Sequence, residues 1–410
     1  MIFPIKRAGG RGLALLLLAF SLSACVSIPR DYSAPSAQHY EQAEIAGYRH
    51  IRFWGDMPPP DMNRLLARQH AALQTNPELA RRFDVLALSG GGEDGAYGAG
   101  FLKGWSKRGD RPRFTLVTGV STGALIAPFA FLGPKYDDAI QRFYTATSRR
   151  DIFLLTPLKI LFGGSAIGDT APLKRLLHEE VNDRLVAEIA AESRQGRVLL
   201  IGTTDLDAER PVIWNIGRIA DSGRPDAAKL IANIMLASAS VPGAFPPVRF
   251  DVLIHGQRHQ EVHVDGGVTN QIFVYPPSLD MRVVEQRLGL NPHKTFWLIR
   301  NTKVDPEYDA VGLGVASITK RAIQSLIKYQ GRSNLVELEK LAERDGFDLR
   351  LTYVPQDFKT PLTKPFDPVY MRDLYQVGYH AALSAQPWHA RIDAVEQAAP
   401  AVPAAKGVSQ

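Results

Sequence analysis

A serine flanked by glycines is the first candidate for chemistry in this sequence. The stretch "VTGVSTGAL" contains Gly119, Ser121 and Gly123 in the pattern G-x-S-x-G, between an apolar run typical of a strand and one typical of a helix. In this context a serine occupies a sharp strand-to-helix turn, and the glycines relieve crowding around it. Its hydroxyl lies near a helix N-terminus, which favours nearby negative charge. The pattern predicts a nucleophile at Ser121.

A glycine-rich loop, "LSGGGEDGAYGAG", follows an earlier apolar run. Gly90, Gly92 and Gly95 satisfy the G-x-G-x-x-G pattern of dinucleotide-binding loops. Alternatively, the N–H groups of Gly90, Gly91 and Gly92 can bind an oxyanion that forms during a reaction. A dinucleotide site needs an acidic residue at the end of the second strand. Asp110 has a suitable spacing of about 20 residues, but it falls in a polar loop before that strand. The oxyanion interpretation is therefore favoured.

A serine hydroxyl is a poor nucleophile until a base takes its proton. The stretch "EVHVDGGVTN" alternates apolar and polar residues as a strand does, and it ends in Asp265, Gly266 and Gly267. Taken alone, this is an ordinary Asp-Gly turn with a solvated carboxylate. Together with the serine and glycine motifs, it predicts that Asp265 is the base. That role requires shielding from water, because a solvated carboxylate is a weak base.

The elements that must position these residues alternate between strand and helix. Strands are predicted in "FDVLALS", "FTLVTG", "RVLLIGTTDL" and "KTFWLIRNTKV", a hairpin in "FDVLIHGQRHQEVHVDGG", and helices in "GAYGAGFLKGWSKRG", "TGALIAPFAFLG" and "DAAKLIANIMLASAS". Strands separated by helices of this length indicate a largely parallel sheet covered on both faces. The fold class is α/β.

The motifs "SGGGEDG", "GVSTG" and "DGG", in this order, resemble the patatin-like phospholipase family. "TTDLDAERPVIWN" and "LASASVPGAFPPV" are also similar to it, so the resemblance runs over residues 82–270 and more loosely to residue 388. It implies a three-layer α/β/α sandwich and a Ser-Asp dyad that needs no cofactor. It also implies that Ser121 is the nucleophile, Asp265 the base and the loop of Gly90, Gly91 and Gly92 the oxyanion hole.

One position departs from the family pattern. The family usually has a basic residue two places after the glycine triplet, where this chain has Asp94. A carboxylate directed at a developing oxyanion would oppose catalysis. Asp94 must therefore point elsewhere or be neutralised by a partner if the chain is an active hydrolase.

Histidines offer two other kinds of site. A full Ser-His-Asp triad would need a base such as His380 or His389, but both fall in segments that favour structural or exposed positions. His255, His259 and His263 are spaced four apart, as in a metal site on a helix. Their flanks instead predict two strands and a polar turn, and a hairpin rarely supplies convergent ligands. No metal site is predicted.

The N-terminus has the pattern of an export signal. Residues 1–24 combine Lys6, Arg7 and Arg11 with the apolar run "LALLLLAF", which is too short to span a bilayer. They end in "LSAC", which resembles the lipobox of bacterial lipoproteins, and Cys25 is the sole cysteine. We therefore expect a lipidated Cys25 at a membrane surface, in the outer membrane because Val26 rather than Asp follows.

The net charge excludes one class of partner. The three basic residues of the signal account for half of the formal +6, so the mature chain carries +3. This charge is too small to indicate nucleic-acid binding.

The chain is divided by composition into four parts. After the signal, we expect a polar, proline-bearing lead-in with a short helix at residues 25–80 and a disordered tail at residues 396–410. The resemblance implies that residues 81–395 form the hydrolase domain. The apolar stretch 151–169 has two interpretations, a core helix with a loop or a mobile lip that contacts acyl chains. The second predicts that polar substitutions at Leu154, Leu155 or Ile160 weaken action on bilayers alone.

These features predict an exported serine acyl hydrolase that cleaves ester bonds of phospholipids or lysophospholipids. Two alternatives stay open: a non-catalytic lipid-binding lipoprotein of the same fold, and a general carboxylesterase. The glycines that frame the motifs, namely Gly95, Gly119, Gly123, Gly266 and Gly267, are expected to support the site.

Overall fold

The computed structural model describes residues 29–156 and 165–392. Within them the strands are β1 (Glu44–Ile45), β2 (Arg52–Trp54), β3 (Arg82–Leu88), β4 (Leu116–Val120), β5 (Leu154–Leu155), β6 (Gly168–Asp169), β7 (Val198–Asp205), β8 (Arg210–Asn215), β9 (Val248–Ile254), β10 (Gln257–Asp265), β11 (His293–Arg300) and β12 (Asp348–Tyr353). Each strand predicted from the sequence is present, with bounds shifted by a few residues.

The helices of the same described residues are α1 (Met62–Thr75), α2 (Pro77–Arg81), α3 (Gly95–Arg108), α4 (Thr122–Leu132), α5 (Asp137–Ala146), α6 (Arg149–Ile152), α7 (Ala171–Glu180), α8 (Asp183–Arg194), α9 (Ile216–Ala220), α10 (Ala227–Ser238), α11 (Met281–Leu288), α12 (Val315–Asp345) and α13 (Pro368–Leu383). Short 3-10 turns lie at Tyr40–Gln42, Gly92–Asp94, Pro134–Tyr136 and Gly266–Val268. In these parts of the chain, no helix has both the length and the apolar character needed to cross a membrane.

The central sheet has a parallel half and an antiparallel half. Its order is β1-β9-β10-β7-β4-β3-β11-β12, with β2 and β8 attached through β7. The pairs from β7 to β12 are parallel, whereas β8, β9 and β10 run antiparallel to their neighbours. Because the carboxyl ends of β3, β4 and β7 meet at one edge, the loops that follow them lie together there.

Each face of the sheet carries its own hydrophobic core. Successive side chains of a strand point to opposite faces, and β3 follows this rule. Leu86 and Leu88 pack in a large core with α3, α4 and α10, whereas Val85 and Ala87 pack in a smaller one with α11 and α12. The result is the three-layer α/β/α sandwich with a largely parallel sheet that the sequence predicts.

The lead-in is joined to this sandwich rather than separate from it. Strand β1 pairs with β9, and β2 pairs with β8. The short helix predicted within it is present as α1. The signal peptide 1–24, Cys25 and the tail 396–410 lie outside the described residues, so these expectations stay predictions.

Candidate active site

Ser121 occupies the strand-to-helix turn between β4 and α4. Its backbone has a φ of 55°, a left-handed conformation that is strained for a residue with a side chain and is typical of functional sites. The N–H of Ser121 donates to the Ser238 hydroxyl at 3.0 Å, and this hydroxyl donates to the Gly202 carbonyl at 2.6 Å. These two bonds hold the strained turn in place.

Gly119 and Gly123 make this turn possible, because the neighbouring backbone leaves no room for a side chain at either position. A Cβ on Gly119 would lie 2.5 Å from the carbonyl oxygen of Gly123, and a Cβ on Gly123 would lie 2.2 Å from that of Leu88. Both distances are far below van der Waals contact, and both obstacles are backbone atoms. The G-x-S-x-G pattern therefore reflects the close approach of β3, β4 and the start of α4.

The Ser121 hydroxyl donates to Asp265. Its Oγ lies 2.6 Å from Oδ2 of Asp265, and the two residues are only 6% and 4% exposed. The other carboxylate oxygen, Oδ1, accepts the N–H of Gly267 at 2.7 Å. The backbone N–H of Asp265 donates to the Ser240 carbonyl at 2.9 Å. The structure thus brings the predicted nucleophile and the predicted base into direct contact, with the carboxylate held from two sides.

Burial places the pKa of Asp265 near neutrality. Desolvation raises the pKa to about 7, although the hydrogen bonds from Ser121 and from the N–H of Gly267 favour the charged form and lower it. A carboxylate with a pKa near the working pH is a stronger base than a solvated one and is still largely ionised above pH 7. The site therefore satisfies the shielding that the role of base requires.

The glycine loop differs from the prediction at its first position. The N–H of Gly90 donates to the carbonyl of Gln271 at 3.0 Å, so it is not free to bind an oxyanion. In the part of the chain that the structure describes, the N–H groups of Gly91 and Gly92 have no such acceptor. The predicted oxyanion role therefore narrows to Gly91 and Gly92, and Gly90 serves to let the loop approach Ser121. A Cβ on Gly90 would lie 3.3 Å from the Ser121 Cβ.

The other predicted glycines also lie at close contacts around the site. A Cβ on Gly95 would meet the Thr122 hydroxyl at 2.2 Å, and one on Gly266 would meet the Gly202 carbonyl at 2.4 Å. A Cβ on Gly267 would lie 3.0 Å from Oδ1 of Asp265. These positions support the site by letting neighbouring segments pack without side chains between them.

The carboxyl group of Asp94 has a hydrogen-bond partner. The Tyr370 hydroxyl donates to its Oδ1 at 2.6 Å. Burial raises the pKa of Asp94 to about 7, against the lowering effect of this hydrogen bond. The residue lines a cleft of about 760 Å³ that Arg300 and Lys303 also line. The carboxyl group is thus bound by Tyr370 and is partly protonated near neutral pH. This is the partial neutralisation by a partner that an active hydrolase requires at this position.

The candidate histidine bases lie apart from the serine. His380 and His389 are exposed, and the His389 ring stacks on Tyr353 at a centroid distance of 5.0 Å. The acceptor of the Ser121 hydroxyl is the Asp265 carboxylate. Among the described residues the Ser121 hydroxyl is thus bonded to a carboxylate and to neither of these histidines.

The three spaced histidines lie on a hairpin and do not converge. His255 is in the turn between β9 and β10, His259 contacts Ser33, and only His263 is fully buried. His263 instead lies with Asp205 and Glu261, whose potential ligand atoms are within 4.8 Å of one another. Arg52 supplies the positive charge here, because its Nη2 donates to Glu261 at 2.8 Å. The donor set therefore fits an ion-pair network better than a cation site.

The apolar stretch 151–169 is only partly described, since residues 157–164 and with them Ile160 lie outside the described chain. Leu154 and Leu155 form the short strand β5, paired with β6, and are 48% and 54% exposed. Ile167, which is 46% exposed, donates its N–H to the carbonyl of Gly243. The two leucines therefore belong to no core helix, and the lip interpretation remains a prediction.

Two contacts of the site were missed from the sequence. Ser238 holds the Ser121 turn, and Gln271 holds Gly90. Ser238 lies in the stretch "LASASVPG", whose small residues between two motifs were the available signal. Gln271 follows the "DGG" motif by only a few residues, but nothing in its surroundings indicates a bond to a loop so distant in sequence.

Comparisons with known proteins show which family part of the chain resembles. Residues 86–276 match the family model described as patatin-like phospholipase. A stretch of 191 residues, 45% of this chain, is 30% identical to a cUMP-AMP-activated phospholipase of Escherichia coli, of which it covers 54%. The chain thus spans about half the length of that relative.

Among solved structures, VipD from Legionella pneumophila aligns with 88% of this chain and 72% of its own, at 12% identity and a TM-score of 0.33. A similarity of this size carries no conclusion about function. The family match covers the serine turn, the glycine loop and the aspartate. Residues 86–276 are therefore similar to the patatin-like phospholipase family, as the sequence motifs indicate.

Proposed function

We propose that this protein is a serine acyl hydrolase that cleaves carboxylic ester bonds of phospholipids or lysophospholipids. The observation that carries the proposal is the 2.6 Å hydrogen bond from the Ser121 hydroxyl to the buried carboxylate of Asp265. The family match adds support, because lipid esters are the substrates that its name implies.

The first half of the reaction forms an acyl-enzyme. Asp265 takes the hydroxyl proton while Oγ of Ser121 attacks the ester carbonyl carbon. The resulting oxyanion accepts hydrogen bonds from the N–H groups of Gly91 and Gly92. The carbon–oxygen bond to the leaving alcohol then breaks, and that alcohol takes the proton from Asp265. The products of this half are the free alcohol and an acyl-Ser121 ester.

The second half returns the enzyme to its starting state. Asp265 takes a proton from water, and the oxygen of that water attacks the acyl carbon. The bond to Oγ breaks, Ser121 regains the proton from Asp265, and a fatty acid leaves. One ester bond and one water are consumed, and no cofactor enters the balance.

An activity-based probe tests the nucleophile directly. A fluorophosphonate should label Ser121, as mapped by mass spectrometry, and the label should be lost in Ser121→Ala and strongly reduced in Asp265→Asn. Ser222→Ala, an exposed loop serine, is the matched control and should be labelled normally. Absence of any adduct in a protein with native circular dichroism would favour the non-catalytic lipid-binding alternative.

The substrate class needs a separate comparison. Release of fatty acid should be measured from phospholipid vesicles, from lysophospholipid and from a short soluble ester, with Ser121→Ala as the blank. A phospholipase is expected to prefer the lipid substrates. Hydrolysis of the soluble ester alone would indicate a general carboxylesterase.

We also propose that Cys25 is lipidated and holds the protein at a membrane surface, in the outer membrane if the cell has one. Support comes from the lipobox-like "LSAC" and from the position of Arg30. The Arg30 guanidinium donates to Asp207 at 2.7 Å, just beyond the carboxyl end of β7. The chain thus enters the domain at the edge that carries Ser121. Labelling with radioactive palmitate should be lost in Cys25→Ser, and retention of the label would exclude this site.

A further inference from the structure

One half of the longest helix extends beyond the body of the protein. Helix α12 has 31 residues, which is about 46 Å at the usual rise per residue. Its buried residues begin only at Gly331. Residues 315–330, about 24 Å of helix, have no buried side chain. We call residues 315–330 the projecting half.

The projecting half extends from the edge of the sheet that carries the catalytic residues. Helix α12 leads into β12, which is parallel to β11 and β3. The C-terminus of the helix therefore lies at the amino edge of these strands and its N-terminus at their carboxyl edge. Gln330 confirms this placement, since its side-chain amide donates to the carbonyls of Val268 and Thr269, just after Asp265.

The exposed side chains of the projecting half form an apolar stripe. Val315, Ile318, Ala322, Leu326 and Tyr329 follow one another at steps of three and four, which places them on one face of a helix. Val315 is 83% exposed, Leu326 is 71% exposed and Tyr329 is 59% exposed. Side chains of this kind seldom stay in water as a continuous stripe unless a partner covers them.

The charged side chains of the projecting half itself are all basic, although Glu307 of the preceding segment pairs with Lys328 at 2.9 Å. Residues 310–336 include Lys320, Arg321, Lys328 and Arg332 and no acidic residue. At 100° per residue Lys320 lies opposite the stripe, and Arg321, Lys328 and Arg332 lie along one side of it. A helix with an apolar face and a basic face is the form that lies in the interface of a bilayer with anionic headgroups. A second copy of this surface would bring like charges together, which is unfavourable.

We propose that the projecting half of α12 is a bilayer-docking element that inserts its apolar stripe among the lipids. Other exposed apolar side chains extend the surface toward the site: Val268 is three residues after Asp265, and Val241 follows Ser240, whose carbonyl accepts the N–H of Asp265. Docking through this surface would present the edge that carries Ser121 to the membrane. The proposal concerns binding and does not depend on hydrolysis.

The sole cysteine makes a site-specific test simple. The full chain with Cys25→Ser and Ser121→Ala is free of cysteine, lacks the proposed lipid and lacks the proposed nucleophile. Into it we would introduce Leu326→Cys, with Val283→Cys as control. Val283 is 44% exposed on α11, a helix that leads into the amino end of β11 and so lies at the opposite edge. Each cysteine is labelled with a fluorophore that brightens in apolar surroundings.

Vesicles of phosphatidylethanolamine and phosphatidylglycerol should raise the emission at position 326 about threefold, with a blue shift, and leave position 283 unchanged. Vesicles of phosphatidylcholine alone should give a smaller rise, because they lack anionic headgroups. Vesicle binding with no change at position 326 would overturn the proposal. So would a blue shift that appears without vesicles and grows with protein concentration, because that would assign the stripe to a second copy of the chain.

A substitution checks the same surface without a label. In the Cys25→Ser, Ser121→Ala chain, the pair Val315→Asp and Leu326→Asp should reduce co-sedimentation with the anionic vesicles at least about fivefold. Val283→Asp should leave it unchanged. Both substituted residues are largely exposed, so native circular dichroism is expected. Unchanged co-sedimentation of the doubly substituted chain would contradict the proposal.

Discussion

Ser121 and Asp265 lie at the same height on opposite sides of strand β7. Val120, which precedes the serine, pairs with Gly202, and Asp265 pairs with the adjacent Thr203. The parallel register of β4 and the antiparallel register of β10 therefore meet at one point. This arrangement explains how side chains 144 residues apart come within 2.6 Å.

The raised pKa of Asp265 predicts a pH dependence of catalysis. The carboxyl group must be ionised to take the proton from Ser121, and its pKa is about 7. We expect kcat/KM toward a soluble ester to rise about tenfold per pH unit below pH 7 and to level off above it. Stopped-time assays from pH 5 to 9 would measure this, with Asp265→Asn as the inactive reference. A profile that is flat over this range would contradict the role of base.

The partner of Asp94 leads to a second prediction. Because its pKa is also about 7, the Asp94 carboxyl group is mostly neutral at pH 6 and mostly charged at pH 8.5. Asp94→Asn should therefore match the unmodified protein at pH 6 and exceed it by about threefold at pH 8.5, where a nearby carboxylate opposes the oxyanion. The inflection near pH 7 should persist in this variant, since Asp265 causes it. Loss of the inflection would assign the titration to Asp94.

Tyr370→Phe provides the complementary variant. Removal of the hydroxyl that donates to Asp94 takes away a bond that favours the charged form, so the pKa of Asp94 should rise further. At pH 8.5 the activity of Tyr370→Phe should therefore lie closer to that of Asp94→Asn than the activity of the unmodified protein does. The comparison is the difference in activity between each of these two proteins and Asp94→Asn. A larger difference would show that Tyr370 acts on the site by another route.

Gly90 tests whether the loop must pass close to the nucleophile. In Gly90→Ala the new Cβ would lie 3.3 Å from the Ser121 Cβ and 3.2 Å from Oε1 of Gln271, so one of them must move. A displacement of a fraction of an ångström at the nucleophile is expected to lower kcat about a hundredfold. The melting temperature should change little. Gly312→Ala, at an exposed position where a Cβ would meet only Ser317 at an ordinary contact distance of 3.5 Å, should retain full activity on a soluble ester.

The exposed leucines of β5 allow a test of the lip interpretation. If Leu154 and Leu155 contact acyl chains, their replacement by Ser should lower activity on phospholipid vesicles about fivefold and leave activity on a soluble ester intact. Both side chains are about half exposed, so the substitutions should not disturb the fold. Val283→Ser is the control, because it replaces an exposed apolar side chain by serine at a distance from the site. Equal losses on both substrates would exclude the lip.

The sequence predicts the sandwich, and the strand ends at which Ser121 and Asp265 lie, because both depend on local patterns. The apolar runs before Ser121 and before Asp265 read as strands on their own, and the glycines around them mark the turns. The alternation of helix and strand then restricts the arrangement to a sheet covered on both faces. These features need no knowledge of distant contacts.

Other features depend on contacts between distant segments and could not be read locally. The N–H of Gly90 is bound by Gln271, and the carboxyl group of Asp94 is bound by Tyr370, which is 276 residues away. Residues 44–45 and 52–54 also join the sheet. A run of two or three residues is too short to establish a periodicity, so this pairing cannot be predicted from the sequence. The projecting half of α12 required the structure for the same reason: exposure is a property of packing.

The buried ion pair of Arg52 and Glu261 gives a prediction about stability and metals. Burial alone would raise the pKa of Glu261, but the charge of Arg52 and the bond from His263 outweigh it and lower the pKa to about 2. A lowered carboxyl pKa stabilises the fold at a pH above the pKa of that group in the unfolded chain, and this contribution is lost as the pH falls from about 4.5 toward 2.

Glu261→Gln should thus lower the free energy of unfolding at pH 7 by about 3–5 kcal/mol, because it leaves Arg52 buried without its partner. Glu343→Gln, in an exposed pair with Lys340, should leave the free energy of unfolding nearly unchanged, because solvent screens that pair. Since Arg52 already provides the cation, neither zinc nor EDTA should shift the melting temperature, and a rise with zinc that Glu261→Gln abolishes would assign a metal to Asp205, Glu261 and His263.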